Sequence, residues 1–259
     1  LFHLLFLPLF SILGENFAVL IMARIFVFIL SLLGVLLTFL IGRILTKNTT
    51  FALFAAVLSA FLPLSAEKII EVRPDNLMSV LFLAGVYFCF LALERKSGVF
   101  SFLSGVFSAL SFWVLPKIIF PMTGFFFSVA LYEFLAGKRK VTAPLLVFFT
   151  GGCLIPTLLL LSGFYRQHIL PQALTAIFTY SQVVISALQF GNELHPFFWF
   201  FPNDAVYGKP SGLAFYTSNL IILLSLAGMG ITLYKFFRTK KVDEMFIFIL
   251  PSLFSFFSL

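Results

Sequence analysis

The sequence predicts an all-α, polytopic bundle of transmembrane helices, with about seven or eight spans along its 259 residues. Three observations predict it. First, 61% of the residues are hydrophobic, 10% are charged and the mean hydropathy is +1.10, with 39 phenylalanines in the chain. An ordinary water-soluble domain is excluded, because such a composition leaves too little polar surface to cover it. Second, apolar runs near the ~20 residues that a helix needs to cross the hydrocarbon recur along the chain. Third, basic residues gather at alternate junctions between these runs, as expected of a multi-pass protein. A backbone in hydrocarbon must satisfy its own polar groups, so the runs are expected to be helices.

The elements follow in order. Leu1 to Leu13 is apolar but short and carries His3 and Pro8, which suits the tail of a span or a helix lying in the interface. Gly14, Glu15 and Asn16 make a turn, Phe17 to Gly42 is a full span, and Arg43 and Lys47 follow it. Phe51 to Ala66 is a shorter span with Pro63 near its end. The densest charge in the chain comes next, five ionisable residues between Glu67 and Asp75. Pro74 biases Arg73 away from helix and breaks any helix running through this group, and Asp75 and Asn76 are placed to cap the helix beyond it. Leu77 to Leu93 returns and closes with Glu94, Arg95 and Lys96, and Val99 to Leu115 crosses to Pro116-Lys117. Ile118 to Ala136 ends at Lys138-Arg139-Lys140, and Leu145 to Gly163 crosses once more. The segment 164–212 reads as a long outer loop, whose middle suits a helix at the membrane surface. Leu213 to Phe237 is a span closed by Arg238, Lys240 and Lys241, and another begins at Met245. The whole chain, 1–259, is expected to form a single transmembrane domain. It opens and stops inside apolar runs, so it reads as an internal fragment of a longer protein.

The net charge of +7 is one-sided. Eleven of the 17 basic residues, Arg43, Lys47, Arg95, Lys96, Lys138, Arg139, Lys140, Lys235, Arg238, Lys240 and Lys241, lie at alternate junctions against four acidic residues. The other six basic residues balance six acidic ones on the opposite face. The basic side is expected to be cytoplasmic. The charged stretch, Lys117 and the long loop are then outside, on a multi-pass protein of a bacterial-type inner membrane. The basic excess reports topology, so no nucleic-acid partner is expected. Cys89 and Cys153 lie in apolar runs and read as small buried hydrophobes. The three histidines have no metal-ligand spacing, no cofactor is predicted, and the residues leave a need for a divalent ion open.

Several polar residues stand out as candidates. Arg24 lies seven residues into the first span, about 10 Å deep. It either snorkels to the interface or faces a polar cavity. Lys117 is either a solvated anchor or, with Arg24, a ligand for a lipid phosphate. Glu71 and Asp75 are carboxylates beside Arg73, a set that suits deprotonation of a hydroxyl nucleophile. The run Pro196-Phe197-Phe198-Trp199-Phe200-Phe201-Pro202 reads as an interfacial belt or as faces that stack on a sugar. His195 and Asp204 beside it are candidates for contact with an acceptor.

The order of these features resembles membrane glycosyltransferases of the GT-C class. The residues that carry the resemblance are Met22-Ala23-Arg24, Ile41-Gly42-Arg43, Pro63, Glu71-Val72-Arg73-Pro74-Asp75, and the Ser-Gly helix leading to Leu115-Pro116-Lys117. They cover roughly Leu1 to Lys140, and the similarity is greatest to dolichyl-phosphate-mannose-protein-mannosyltransferase-like and aminoarabinose-transferase-like enzymes. The resemblance implies a sugar donor carried on a polyprenyl phosphate and transfer on the outer side of the membrane. It also implies a catalytic acid in a first outer loop, which would lie before Leu1, and it matches Asp75 to the acid of the second outer loop. Two other classes compete. A lipid or polysaccharide transporter would more often show internal repeats or broken helices, and neither is visible. A non-catalytic assembly subunit would leave Arg24, Arg73 and Asp75 without a role.

Overall fold

The computed structural model describes residues 11–12, 17–61, 72–135, 139–175, 177, 227–228, 230–231 and 234. Within them the chain forms an all-α bundle. Its elements are α1 (Phe17–Thr46), α2 (Thr49–Phe61), α3 (Pro74–Arg95), α4 (Gly98–Val114), a 3-10 turn (Pro116–Ile118), α5 (Ile119–Leu135) and α6 (Arg139–Arg166). Three helices are long and apolar enough to cross a membrane: α1, α3 and, from Pro144 onward, α6. Helices α2, α4 and the 3-10/α5 unit are apolar but shorter. The protein is thus a multi-pass membrane protein. The expected spans Leu213 to Phe237 and Met245 onward, and most of Leu1 to Leu13, lie outside the described residues.

Helix boundaries follow local chemistry. Arg73 is extended, at φ −129° and ψ 149°, as the residue before a proline should be. Pro74 then occupies the first turn of α3, where its missing N–H costs nothing. This corrects the expectation that Asp75 or Asn76 caps α3: the cap position is Arg73, and it makes no side-chain capping bond. The expectation erred because Pro74 opens a helix as readily as it ends one. At the far end Lys96 is left-handed (φ 51°), and the cap N–H bonds to the Ala92 carbonyl, which stops α3 and lets α4 begin two residues later. Helix α6 starts earlier than Leu145, so Arg139 and Lys140 belong to its first turn, and it runs on to Arg166 past Pro144 and Pro156. The first residues of the expected outer loop, Phe164 to Arg166, are therefore helical.

Short connections make successive helices antiparallel, and α4 is sandwiched between α3 and α6. Small residues set both contacts. Ser104 Oγ donates to the Gly85 carbonyl (2.8 Å) and Ser111 Oγ to the Met78 carbonyl (2.8 Å), tying α4 to α3. On the other flank Ser101 Oγ donates to the Leu145 carbonyl (2.5 Å). There a Cβ on Gly105 would stand 2.1 Å from the Phe149 carbonyl oxygen, and one on Gly152 would stand 2.1 Å from that of Phe102. The backbones of α4 and α6 thus touch reciprocally, the arrangement by which small residues replace a hydrophobic drive inside lipid. Elsewhere the packing is aromatic. Phe125 of α5 is 1% exposed and meets Phe82 and Phe90 of α3 edge-on, with centroids 6.3 and 5.8 Å apart. Ile41 of α1, Cys89 of α3 and Tyr132 of α5 complete that cluster. Cys89 is buried as expected, whereas Cys153 is only half-buried, its thiol 3.3 Å from the Gly105 carbonyl oxygen.

These contacts sort the charges by end. Arg43, Lys47, Glu94, Arg95 and Lys96 lie at one end of the bundle, and Arg73, Asp75, Lys117 and Arg166 at the other.

Candidate functional site

Two chain breaks meet at the second end. On α3, Pro74 fixes the helix start, so Asp75 falls in the first turn, where a carboxylate also complements the helix dipole. At the end of α4, Leu115 is extended (φ −154°, ψ 109°) and Pro116 begins a single 3-10 turn. Ile118, only 5% exposed, pins that turn to the protein and leaves Lys117 outside. Two contacts hold the breaks in register: the Ser111 bond to Met78, and a small apolar cluster of Ala23, Val27, Val72, Leu77 and Val114.

The result is a triad of charge. The Lys117 ammonium donates to one oxygen of Asp75. The Arg73 Nε stands 3.9 Å from the other. The side chains of Arg73, Asp75 and Lys117 are 51%, 35% and 62% exposed, so the group is open to solvent or headgroups. Two cations flank one carboxylate at an exposed place that the two chain breaks fix. Exposed ion pairs are worth about 0–1 kcal/mol, so the fold does not depend on this one. Its chemical capacity is to hold an anion, with the carboxylate keeping the two cations apart and aimed.

Asp75 and Arg73 were expected together and are together. Lys117 was expected near a phosphate, and the structure seats it on Asp75 itself. Arg24 is exposed on α1, one residue from Ala23, which packs against the same apolar cluster. It is therefore level with the triad along the bundle. Glu71, His195 and Asp204 lie outside the described residues. Sequence reasoning missed the serines of α4. Their signal was present: Ser101, Ser104, Ser108 and Ser111 recur at helical spacing, and all four are buried. The end of α6 lies at the same end of the bundle as Lys117, as the alternation of junctions predicts. Trp113 donates to Thr157 Oγ1 (3.2 Å) and its ring lies 5.9 Å from that of Phe164, which brings Arg166 and His168 to the same end as Lys117. Among the described residues no three His, Cys, Asp or Glu side chains cluster as metal ligands.

Comparison of the chain with protein-family models, with curated proteins and with solved structures found no match.

Proposed function

We propose that this protein is a GT-C-type glycosyltransferase that moves a sugar from a polyprenyl-phosphate donor to a lipid, glycan or protein acceptor, with the Asp75 end of the bundle facing outward. The observation that carries the reading is the Arg73–Asp75–Lys117 triad, an acidic group bracketed by two cations at the polar end of membrane-length helices. A polyprenyl phosphate places its charge at that depth while its tail stays in hydrocarbon. Lys117 and Arg73 then offer the donor phosphate charge-assisted hydrogen bonds. Asp75 holds both cations and assists the transfer by orienting the acceptor. The order of motifs from Arg24 to Lys117 supports the same reading by resemblance. A transporter or an assembly subunit would use the triad only as an ion-paired turn.

The test is Asp75→Asn in the longest natural form of the protein, assayed for sugar transfer from a polyprenyl-phosphate donor. The change is nearly isosteric and removes only the charge. Transfer is expected to fall by about 10²-fold or more, the scale seen when one preorganised electrostatic group is removed. Undiminished transfer in a normally inserted variant would reduce the triad to a surface ion pair.

A further inference from the structure

Charged residues bracket α1, α3 and α4 at comparable spacing. Arg24 and Arg43 are 19 residues apart on α1, which is about 28 Å of helix rise. Asp75 and Arg95 are 20 residues apart on α3, about 30 Å. Lys96 and Lys117 flank α4, whose 17 residues rise about 25 Å. The hydrocarbon of a bilayer is about 30 Å thick. Two planes of charge, one through Arg24, Asp75 and Lys117 and the other through Arg43, Arg95 and Lys96, therefore bound the hydrocarbon.

Helix α1 overruns that slab. Its 30 residues rise about 45 Å. Burying all of it would need a tilt of about 48°, beyond the ~0–40° range of membrane helices. It would also draw Arg24 into the hydrocarbon, where a guanidinium is strongly disfavoured. Arg24 is exposed and makes no hydrogen bond or ion pair with another described residue. Beyond it on the helix surface Ile25 and Phe28 are 49% and 52% exposed, as lipid-facing side chains are. Ala23 and Val27, by contrast, are buried against Val72, Leu77 and Val114. The cation thus stands on the lipid side of α1, level with the triad and outside it.

We infer that the Arg24 guanidinium binds the phosphate of a bilayer lipid in the leaflet at the Asp75 end, and that the hydrocarbon boundary crosses α1 at this residue. The planar guanidinium matches a phosphate with two parallel N–H donors, and Phe28 lies one turn deeper, beside the acyl chains of the same lipid. Phe17 to Ala23 then rises about 10 Å among the headgroups. This inference does not rest on sugar transfer and survives if that reading fails.

Two measurements on the full chain test it. In a background with Cys89 and Cys153 replaced by alanine, nitroxide labels at Met22→Cys and Phe28→Cys are read for depth in phosphatidylcholine vesicles. The Met22 label should lie in the headgroup zone and the Phe28 label in hydrocarbon, and Arg24→Leu should draw the Met22 label inward by up to about one helical turn, ~5 Å. Equal depth for both labels, or no movement in Arg24→Leu, overturns the boundary. Separately, thermal unfolding in detergent is compared with added phosphatidylglycerol and with diacylglycerol of the same chains. The extra stabilisation by the phosphate-bearing lipid should shrink in Arg24→Leu and partly return in Arg24→Lys. An unchanged difference overturns the site. A gain that depends on Arg24 with polyprenyl phosphate but not with phosphatidylglycerol overturns it too, by giving the residue to the donor.

Discussion

Asp75 lies in the first turn of a helix, yet its partner Lys117 belongs to a turn 42 residues away. That separation explains what could and could not be read from the residues alone. The extended backbone of Arg73 is a steric consequence of Pro74 and was legible. The pairing of Asp75 with Lys117 was not, because charge sign says that a pair is possible without saying which pair. Since exposed ion pairs contribute about 0–1 kcal/mol, Asp75→Asn should change the unfolding midpoint little while cutting transfer. Lys117→Gln should weaken use of the donor more than Lys117→Arg, measured as donor KM, because arginine keeps the charge. Equal KM in the two variants would make Lys117 an interfacial anchor. Ser108 gives a second test. Its hydroxyl is fully buried, has no hydrogen-bond partner, and lies 2.8 Å from where a Cβ on Gly85 would be. Ser108→Ala should therefore be close to neutral, and Gly85→Ala should destabilise. The double variant should recover part of the loss, with a coupling of about 0.5–3 kcal/mol in a double-mutant cycle.

At the scale of elements, α4 is the helix that the others are measured from, and apolar periodicity hides this. A run such as Val99 to Leu115 reads as one more span, since leucine and phenylalanine supply its hydropathy. Its contacts come from the minority residues, serine toward backbone carbonyls and glycine toward backbone. Gly105→Ala and Gly152→Ala should each cost about 1–3 kcal/mol, as overpacking does, because the atoms in the way are carbonyls that cannot rotate aside. Gly151→Ala is the control, since nothing lies within 4 Å of a Cβ there. Reversible unfolding in mixed micelles would separate the three variants, and equal stability of Gly105→Ala and Gly151→Ala would contradict the close contact. The boundaries of α3 and α6 were harder to read than their existence, because Pro74 falls in the first turn of α3, where a helix tolerates it, and Pro144 lies inside α6 without ending it.

For the molecule as a whole, the antiparallel order legible in the alternation of basic junctions is the order found among the described helices. Asn48 and Gln167 are exposed at opposite ends of it. Cysteines placed at these two positions should react with a membrane-impermeant maleimide from opposite sides of sealed vesicles, Asn48 from the cytoplasmic side. Reaction of both from the same side would dismantle the topology and, with it, the outward site. What was legible is what hydropathy and charge encode one segment at a time, namely helices, their order and their polarity. The mutual fit of α4 with its neighbours was not, since it depends on which carbonyl a serine reaches across a helix pair.

The two kinds of seam should part at different temperatures. Where α4 meets α6 the touching atoms are main chain, with no torsion to loosen, so warming finds little slack there. Where α5 meets α3 the contact is made by phenyl rings on rotatable stems, and each ring regains torsional entropy as it lets go. As heat is raised, amide deuteration should reach Phe125 to Val129 well before Ser101 to Gly105, and the bundle should come apart as a rigid board shedding one plank.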